Sequence, residues 1–351
     1  MKINKLLILD GISGVPLGKE LSDAISHAKL QSVYADLKKF NHKHFYGIRA
    51  VYRKAMNKRE AADGFYHSPK LDESKFEAFI REERPSFILV IGFVYKYLSP
   101  EFLLKIKHKY NIKLFLYDTD SCNLFSKRRE FIFFLDNELP IYNKIFSFSK
   151  ITTRFFTETK KLNASFLPFG AKSFDGLTEQ NYMNDVLFVG SCDLRRIFLL
   201  ENIKESVSVY GDRWTRNYSL ISDGLRKSVK DKPVWGNELH QLLLESKIVL
   251  NITRSHFYGT ETGVNLRIFE ALAAGCFLLT DYCEELEDLF LIGEEIEVFR
   301  NAKELVEKVN FYLLNPDKRL EIARRGHERF LNSHTWGARA KELSEVFMLE
   351  N

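Results

Sequence analysis

Short apolar runs alternate with amphipathic segments along the first half of the chain. The runs are short enough to be buried strands, which we predict at residues 6–9, 32–37, 86–92, 113–117, 144–148 and 164–167. The segments between them space apolar residues as a helix does, which predicts helices at residues 17–28, 51–62, 71–84, 100–110 and 127–136. Strands that alternate with helices predict a parallel sheet, and therefore an α/β domain.

The second half repeats this alternation. Its predicted strands are residues 185–190, 206–211, 247–252 and 276–280, and its predicted helices are residues 194–203, 237–246, 265–274, 302–314, 316–331 and 335–347. Between the halves, Leu167-Pro168-Phe169-Gly170 interrupts the pattern and a polar stretch follows it. We therefore predict two domains, residues 1–170 and 171–334, and a last helix, residues 335–351, that crosses back to the first domain.

The segment T-E-T-G-V-N-L-R-I-F-E-A-L-A-A-G-C-F-L-L-T-D, residues 260–281, carries the most informative polar pattern. Asn265 is placed to cap the helix at its start, and Gly275 is placed to end it. One face of this helix combines a cation, a carboxylate and small side chains, at Arg267, Glu270, Ala271 and Ala274. A flat or bulky ligand has room to lie along such a face.

The chemistry of that face suits a nucleotide diphosphate. Free N–H groups at a helix start favour a phosphate, and Arg267 adds a charge-assisted contact. The Glu270 carboxylate accepts hydrogen bonds and suits the paired hydroxyls of a ribose. One alternative stays open: Arg267 and Glu270 form an i, i+3 ion pair on a solvated surface.

Two more loops of the second half are candidates for nucleotide binding. Gly190 and Ser191 follow a strand and Arg195 lies in the next helical turn, which suits a phosphate or simply a solvated helix start. Val234 and Trp235 lie in a turn whose backbone and ring suit a nucleobase. The alternative for Trp235 is a packing anchor in the core.

The first half offers further candidate site residues. Ser13 and Gly14 lie in the loop D-G-I-S-G-V-P, which lets the backbone approach a ligand such as a phosphate, or forms only a tight turn. Asp118 and Asp120 follow a predicted strand and are candidate general bases, with turn capping as the alternative. His256, in the second half, is a third candidate base. We read no metal site in these residues.

The net charge of +5 on the 351-residue chain is unevenly divided. Residues 1–170 contain 29 Lys and Arg and 18 Asp and Glu, whereas residues 171–351 contain 23 and 29. The basic first half favours an anionic partner, such as an acidic glycan, a lipid diphosphate or an anionic membrane surface. A soluble basic surface without a partner is the alternative.

Several classes of protein are disfavoured. No apolar run approaches the ~20 residues of a membrane helix, and the four cysteines form no C-x-x-C pair. We expect a cytoplasmic protein, with peripheral contact at the inner face of the membrane. The chain lacks a G-x-G-x-x-G after any predicted strand, which argues against a dehydrogenase, and the basic stretch alone does not support a nucleic-acid partner.

Four segments resemble a known family. They are N-L-R-I-F-E-A-L-A-A-G-C-F-L-L-T-D, F-V-G-S, N-P-D-K-R-L-E-I-A-R-R-G and H-T-W-G-A-R, at residues 265–281, 188–191, 315–326 and 334–339. They resemble the spore-maturation CgeB-like branch of the GT-B glycosyltransferases, with a glycosyl transferases group 1 type C-terminal domain. The resemblance covers residues 185–345. It implies two Rossmann-like domains facing each other across a cleft, with the donor on the second domain and the acceptor on the first.

The resemblance also implies roles. Glu270 corresponds to the carboxylate that binds the donor ribose, and Arg267 to the cation beside the diphosphate. The opposing phosphate contacts and the base-binding turn are implied at Gly190, Ser191, Arg195, Val234 and Trp235. The implied activity is hexosyl transfer without metal or cofactor, from a nucleotide sugar, with a UDP-sugar favoured. The acceptor is a glycan, a lipid-linked group or a protein, as in cell-surface polysaccharide biosynthesis.

One position departs from the family pattern. Many retaining GT-B enzymes carry Glu-x7-Glu, but Thr262 stands eight residues before Glu270, and Glu261 is one residue out of register. The sugar contact and the stereochemical outcome are therefore not predicted. The alternative function is a non-catalytic nucleotide-sugar or glycan-binding protein with the same fold.

Overall fold

A computed structural model describes residues 5–12, 14–28, 30–56, 65, 67–121, 128–174 and 181–350. The chain divides into two compact units, each with its own sheet. Unit 1 comprises Met1–Pro168 and Ala340–Asn351, and unit 2 comprises Phe169–Arg339. The predicted α/β class with two Rossmann-like domains is confirmed.

Unit 1 is built on one six-stranded parallel sheet. Its strands are β1 (Leu6–Asp10), β2 (Ser32–Asp36), β3 (Phe87–Ile91), β4 (Lys113–Asp118), β5 (Lys144–Ser147) and β6 (Ala164–Phe166). Their order is β2-β1-β3-β4-β5-β6, so the direction of winding reverses between β1 and β3. Every residue of these two strands is buried, as expected for central strands of a sheet covered on both faces.

The helices of unit 1 follow local capping signals. They are α1 (Leu17–His27), α2 (Tyr46–Met56), α3 (Glu73–Glu83), α4 (Pro100–Tyr110), α5 (Arg128–Phe133) and α6 (Lys150–Arg154). The side chains of Asp72 and Ser99 cap α3 and α4 by accepting backbone N–H bonds. The helix predicted at residues 51–62 begins earlier, at Tyr46, and residues 57–64 lie outside the described residues.

Unit 2 is built on a second six-stranded parallel sheet. Its strands are β7 (Asn184–Val189), β8 (Val207–Tyr210), β9 (Val229–Lys230), β10 (Ser246–Asn251), β11 (Leu278–Asp281) and β12 (Glu297–Phe299). The order β12-β11-β10-β7-β8-β9 places the reversal of winding between β7 and β10. In sheets of this kind ligands bind at the carboxyl ends of the strands beside such a reversal.

The helices that follow β7 in the chain are α7 (Leu194–Leu200), α8 (Asp223–Ser228), α9 (Gly236–Leu244), α10 (Ser255–Tyr258), α11 (Leu266–Ala273), α12 (Ala302–Leu314), α13 (Pro316–Ser333) and α14 (Trp336–Leu349). The last three come after β12, and α14 passes from unit 2 into unit 1. The sequence prediction missed α6, α8, α10, β9 and β12. Each of them has two to six residues, which is too short to show a helical or strand period.

The end of α14 belongs to unit 1. Phe347 is buried, with its ring centroid 5.6 Å from that of Phe87 and 4.9 Å from that of Phe115. Beyond the helix, the Glu350 carboxylate lies 2.8 Å from Lys113 Nζ. The final segment of the chain therefore completes the core beneath β3 and β4. No helix in the described ranges is long and apolar enough to span a bilayer.

Candidate functional site at the carboxyl edge of the second sheet

Helix α11 begins at the carboxyl edge of the unit 2 sheet. Asn265 caps it, as predicted, because its side-chain oxygen accepts the Arg267 N–H at 3.1 Å. Its backbone carbonyl accepts the Ile268 N–H at 3.2 Å. Since these two amide groups are already engaged, less N–H capacity is left at this helix start than the sequence predicted.

Arg267 and Glu270 lie side by side in the first turn of α11. Arg267 Nη1 is 2.5 Å from Glu270 Oε2, and the side chains are only 11% and 16% exposed. The predicted alternative, a pair on a solvated surface, does not fit this burial. Arg267 Nε is itself buried and has no hydrogen-bond partner among the described residues. A buried donor without a partner is uncommon and calls for a ligand or water oxygen.

The rest of the predicted ligand face is not open. Ala271 and Ala274 are both buried by protein, so no ligand can lie along them. That part of the prediction is wrong, because the helix packs on both sides and α13 covers its later turns. Gly326 of α13 illustrates how close this packing is: a Cβ there would lie 2.8 Å from Leu272 Cδ2. The accessible chemistry of α11 is confined to its first turn.

Arg195 is held in place by three contacts at the same edge. Its Nη1 is 2.6 Å from the buried Asp281 carboxylate at the end of β11, and 3.0 Å from the Thr253 carbonyl oxygen. Its guanidinium carbon lies 3.6 Å from the centroid of the Tyr258 ring. Asp281 also accepts the Thr253 N–H at 2.9 Å and the Thr253 hydroxyl at 2.8 Å. Arg195 is therefore a positioned group whose charge is largely balanced by Asp281.

Arg196 joins the two strands that flank the reversal of winding. Its Nε and Nη2 donate to the Ile252 carbonyl oxygen after β10, and its Nη1 donates to the Ser191 carbonyl oxygen after β7 at 2.8 Å. Burial lowers the pKa of this guanidinium to about 10, so it stays charged at neutral pH. The sequence pointed to Arg195 as the phosphate contact and gave no sign that its neighbour fixes the loop.

Gly190 and Ser191 form the loop after β7. A Cβ on Gly211, whose φ is +146°, would lie 2.0 Å from the Gly190 carbonyl oxygen, so the loops after β7 and β8 are in backbone contact. The indole N–H of the buried Trp214 donates to that same oxygen at 3.0 Å. The loop is thus held by neighbours on three sides, which suits a rigid phosphate contact.

Val234 and Trp235 have different surroundings. Val234 is buried, so a base can meet only its backbone. Trp235 precedes α9 and is 44% exposed, which excludes the alternative of a packing anchor and leaves its ring available for stacking. The packing anchor of this region is Trp214 instead.

His256 lies in α10, the short helix whose Tyr258 ring stacks on Arg195. Burial, and then the charge of Arg254, lower its pKa, so the imidazole is neutral at pH 7. Its Nε2 is buried and has no hydrogen-bond partner in the described part of the chain. A neutral imidazole can accept a proton, which keeps His256 a candidate base.

In unit 1, Asp118 is engaged within the protein. It is fully buried at the end of β4, and burial raises its pKa. Its Oδ1 accepts the Ser121 N–H at 3.1 Å and the Ser121 hydroxyl, and its Oδ2 accepts the Ser147 hydroxyl at 2.9 Å. These bonds give Asp118 the capping role that the sequence left as its alternative, and Asp120, partly exposed, is the more accessible carboxylate.

The other acceptor-side candidates lie after β1. Gly14 is exposed with φ +96°, a conformation that favours glycine, and the Lys38 Nζ would lie 3.5 Å from a Cβ there. Ser13 lies outside the described residues. A Cβ on Gly11 would lie 1.7 Å from the Phe93 carbonyl oxygen, so the loops after β1 and β3 touch through their backbones. No cluster of metal-ligating side chains occurs among the residues that the structure describes.

Sequence reasoning missed the assembly of Asp281, Thr253 and Tyr258 around Arg195. A usable signal existed, since Asp281 ends a predicted strand and the carboxyl ends of strands gather ligand-binding groups. Tyr258 gave no signal, because α10 is a single turn whose position is set by tertiary contacts.

Part of the chain, including this edge of the second sheet, matches a known family. Residues 195–345 match the family model described as glycosyl transferase-like. That range contains Arg195, Trp235, Arg267, Glu270 and Asp281. No curated protein matches the chain.

Solved structures match the chain over its whole length. HepE from Anabaena in complex with UDP-glucose has 13% identity and a TM-score of 0.67, with 98% of this chain and 99% of that chain covered. Sucrose-phosphate synthase from Thermosynechococcus elongatus has 12% identity and a TM-score of 0.66, with 99% of each chain covered. A glycosyltransferase from Rickettsia africae has 10% identity and a TM-score of 0.64, with 99% and 98% covered. At such identities the likeness shows the fold, and the predicted GT-B fold is confirmed.

Proposed function

We propose that the chain is a glycosyltransferase that moves a sugar from a nucleotide-sugar donor to a glycan, lipid-linked or protein acceptor. The observation that carries the proposal is the first turn of α11, where Arg267 has a buried Nε without a partner in the described structure beside the partly buried Glu270 carboxylate. The turn lies in the part of the chain that matches the glycosyl transferase-like family model.

The two side chains of α11 bind different parts of the donor. Arg267 offers Nε to a diphosphate oxygen, while the Glu270 carboxylate accepts hydrogen bonds from the ribose hydroxyls. Their mutual bond of 2.5 Å holds the two side chains beside each other before the donor arrives. Groups held in position in this way lose little freedom on binding, which favours affinity.

Charge stabilisation of the departing diphosphate is the main catalytic task. As the bond between the anomeric carbon and the diphosphate oxygen breaks, negative charge grows on that oxygen. Arg267 and Arg195 are each paired with a carboxylate, Glu270 and Asp281. We assign the stabilisation to Arg267, because its Nε has no hydrogen-bond partner in the described structure. The role of Arg195 is to hold the edge of the sheet, together with the loop after β7.

The group that removes the proton from the acceptor hydroxyl has two candidates. His256 is neutral at pH 7 and has an unpartnered, buried Nε2 in the described structure, which makes it competent to receive a proton. Asp120 is the more accessible of the two candidate carboxylates in unit 1. An inverting reaction requires one such base, whereas a retaining reaction does not require a base of this kind before bond cleavage.

A UDP-sugar is the donor that we favour, because HepE, one of the structural relatives, was solved with UDP-glucose. The exposed ring of Trp235 provides a surface on which the base can stack. We propose that transfer needs no metal and no cofactor. Full activity in the presence of EDTA is the expected result, and activity that returns only on adding Mg²⁺ or Mn²⁺ would contradict it.

Calorimetry of UDP and UDP-glucose binding to Glu270→Gln and Arg267→Met tests the proposal. Each substitution removes one charge-assisted contact and is expected to raise Kd by roughly 10-fold or more. Glu328→Gln is the matched control, because Glu328 forms an ion pair of the same 2.5 Å length with Arg324 on an exposed face of α13. Binding that is equally strong in all four proteins would remove α11 from the site.

A non-catalytic nucleotide-sugar or glycan-binding protein is the second candidate. Thr262 favours it, since the position that many retaining relatives fill with Glu is a buried Thr whose hydroxyl donates to the buried Glu285 at 2.7 Å. Release of UDP from a bound UDP-sugar, followed over hours without acceptor, separates the two. Enzymes of this kind hydrolyse the donor slowly, whereas a binding protein returns it intact.

A further inference from the structure

Helix α2 in unit 1 carries an apolar stripe that no described residue covers. Ile48, Val51 and Tyr52 lie at i, i+3 and i+4 and so share one face, and Phe45 stands directly before the helix. Their exposed fractions are 69%, 69%, 65% and 73%, in that order. We call these four residues the α2 stripe.

The opposite face of α2 attaches the helix to unit 1. Tyr46 and Ala50, also one turn apart, are partly buried, and the Tyr46 hydroxyl donates to the Ser68 carbonyl oxygen at 3.3 Å. The helix is therefore held by its other side, and the α2 stripe points away from the body of the unit. Four large apolar side chains grouped in this way on a surface mark a docking site.

Phe45 supports this interpretation. Its φ is +57°, in the left-handed region that a residue with a Cβ seldom adopts. No burial compensates for this conformation, because the side chain is the most exposed of the α2 stripe. A strained residue that presents an aromatic ring to the surface points to a function for that ring.

The sequence that carries the α2 stripe has charges of a single sign. Residues 37–56 contain no Asp or Glu and six Lys and Arg residues. Of the described side chains, Lys38 and Lys39 are exposed and Lys43 is partly exposed. An exposed helix that combines an apolar stripe with a dense cationic sequence has the composition of an interfacial membrane helix. Anionic lipid headgroups attract each such cation near the surface.

We propose that the α2 stripe docks on an anionic lipid bilayer, with its apolar side chains at the boundary of headgroups and acyl chains and with Lys38, Lys39 and Lys43 among the phosphates. Ile48 and Val51 have no planar face on which a base can stack, so the composition favours lipid over single-stranded nucleic acid. The proposal goes beyond glycosyl transfer and does not depend on it.

Vesicle sedimentation of the full chain without any donor tests the proposal. Vesicles of phosphatidylcholine with phosphatidylglycerol are expected to retain the protein, vesicles of phosphatidylcholine alone are not, and retention is expected to fall as salt rises. Ile48→Ser with Val51→Ser is expected to lower the partition coefficient roughly 10-fold or more. Lys39→Glu with Lys43→Glu is expected to lower it by a similar factor, through charge alone.

The matched control is Phe311→Ser with Leu314→Ser on α12. These two side chains of unit 2 are also exposed, but they lie outside the cationic segment, so their loss should leave retention unchanged. Thermal melts and UDP binding of each variant check that the fold and the nucleotide site survive. Because retention is measured without donor, a failure of the glycosyltransferase proposal does not affect its outcome.

Three results would overturn the proposal. One is equal retention of wild type and the Ile48→Ser, Val51→Ser variant. The second is wild-type protein that ignores anionic vesicles and binds single-stranded RNA. The third is a wild-type dimer in light scattering that the double Ser variant abolishes, because it would assign the α2 stripe to contact between two copies of the chain.

Discussion

The guanidinium of Arg195 is stacked on the ring of Tyr258, with 3.6 Å between its Cζ and the ring centroid, while its Nη1 is 2.6 Å from Asp281. The buried Asp281 carboxylate also accepts two hydrogen bonds from Thr253. This assembly ties α7, α10 and the end of β11 together at the edge where the donor is proposed to bind. Its strength can be measured separately from catalysis.

Asp281→Ala is expected to lower the free energy of unfolding by about 3–5 kcal/mol, because it leaves the Arg195 charge without a partner and frees the Thr253 donors. Urea unfolding measures the change. Asp185→Ala is the control, since its 2.6 Å pair with Lys247 is about half exposed and such pairs contribute roughly 0–1 kcal/mol. A similar loss of unfolding free energy in both variants would show that the buried assembly stabilises the protein no more than an exposed ion pair does.

Gly211→Ala is expected to destabilise unit 2 by about 3 kcal/mol or more and to weaken nucleotide binding. The added Cβ would lie 2.0 Å from the Gly190 carbonyl oxygen, and φ +146° is unfavourable for any residue with a side chain. Gly47→Ala in α2 is the control, because it has open space and gains helix propensity of about 1 kcal/mol. Thermal melts together with UDP calorimetry report both effects, and an unchanged melting temperature for Gly211→Ala would contradict the backbone contact.

Substitution of the two tryptophans, Trp214 and Trp235, should affect different properties of the protein. Trp214→Ala removes a fully buried ring and is expected to cost about 3–5 kcal/mol of stability. Trp235→Ala removes a ring that is 44% exposed, so stability should hardly change, while the affinity for UDP falls by roughly 1 kcal/mol if the base stacks there. Full UDP affinity in a folded Trp235→Ala protein would place the base elsewhere.

Glu138 predicts how stability depends on pH. Its fully buried carboxyl group accepts the N–H groups of Val94 and Tyr95 and the Tyr142 hydroxyl, yet burial outweighs these bonds and raises its pKa to about 7. The native state therefore keeps the proton after the unfolded state has lost it. The stabilisation is complete below the ordinary Glu pKa of ~4.3 and is lost as pH rises toward 7, by roughly 3 kcal/mol in all.

Urea unfolding of Glu138→Gln between about pH 4.5 and 7.5 tests this dependence, because that range spans the rise to a pKa of about 7. The Gln side chain does not titrate, so the free energy of unfolding should lose the pH dependence that Glu138 contributes. The exposed Glu345→Gln should keep the wild-type slope. An unchanged slope in Glu138→Gln would assign the pH dependence to other groups.

The sequence was most informative where local chemistry decides structure. Helices 100–110 and 302–314 were predicted with their observed bounds, because Ser99 with Pro100 and Asn301 supply unambiguous starts. Ten of the twelve described β-strands followed from short apolar runs, and their alternation with helices predicted two parallel sheets. The GT-B fold was implied by the resemblance of residues 185–345 to a known family. The Arg267 and Glu270 pair was placed on one helical turn by spacing alone.

What the sequence could not supply was burial. Asp118 and Asp120 look alike in D-T-D-S, yet only the structure shows that Asp118 is enclosed by Ser121 and Ser147. Trp214 and Trp235 are equally apolar in the sequence, but one fills the core and the other is exposed. Such differences depend on residues that are distant in the chain and adjacent in space.

The position of Phe347 has a consequence for synthesis of the protein. Unit 2 is one continuous segment, Phe169–Arg339, and can form its core while the ribosome is still adding residues. Unit 1 is completed later, because Phe347, which packs against Phe87 and Phe115, is translated after all of unit 2. Until then the two rings lack this cover, so we expect unit 1 to reach its full stability only after the last helix has left the ribosome.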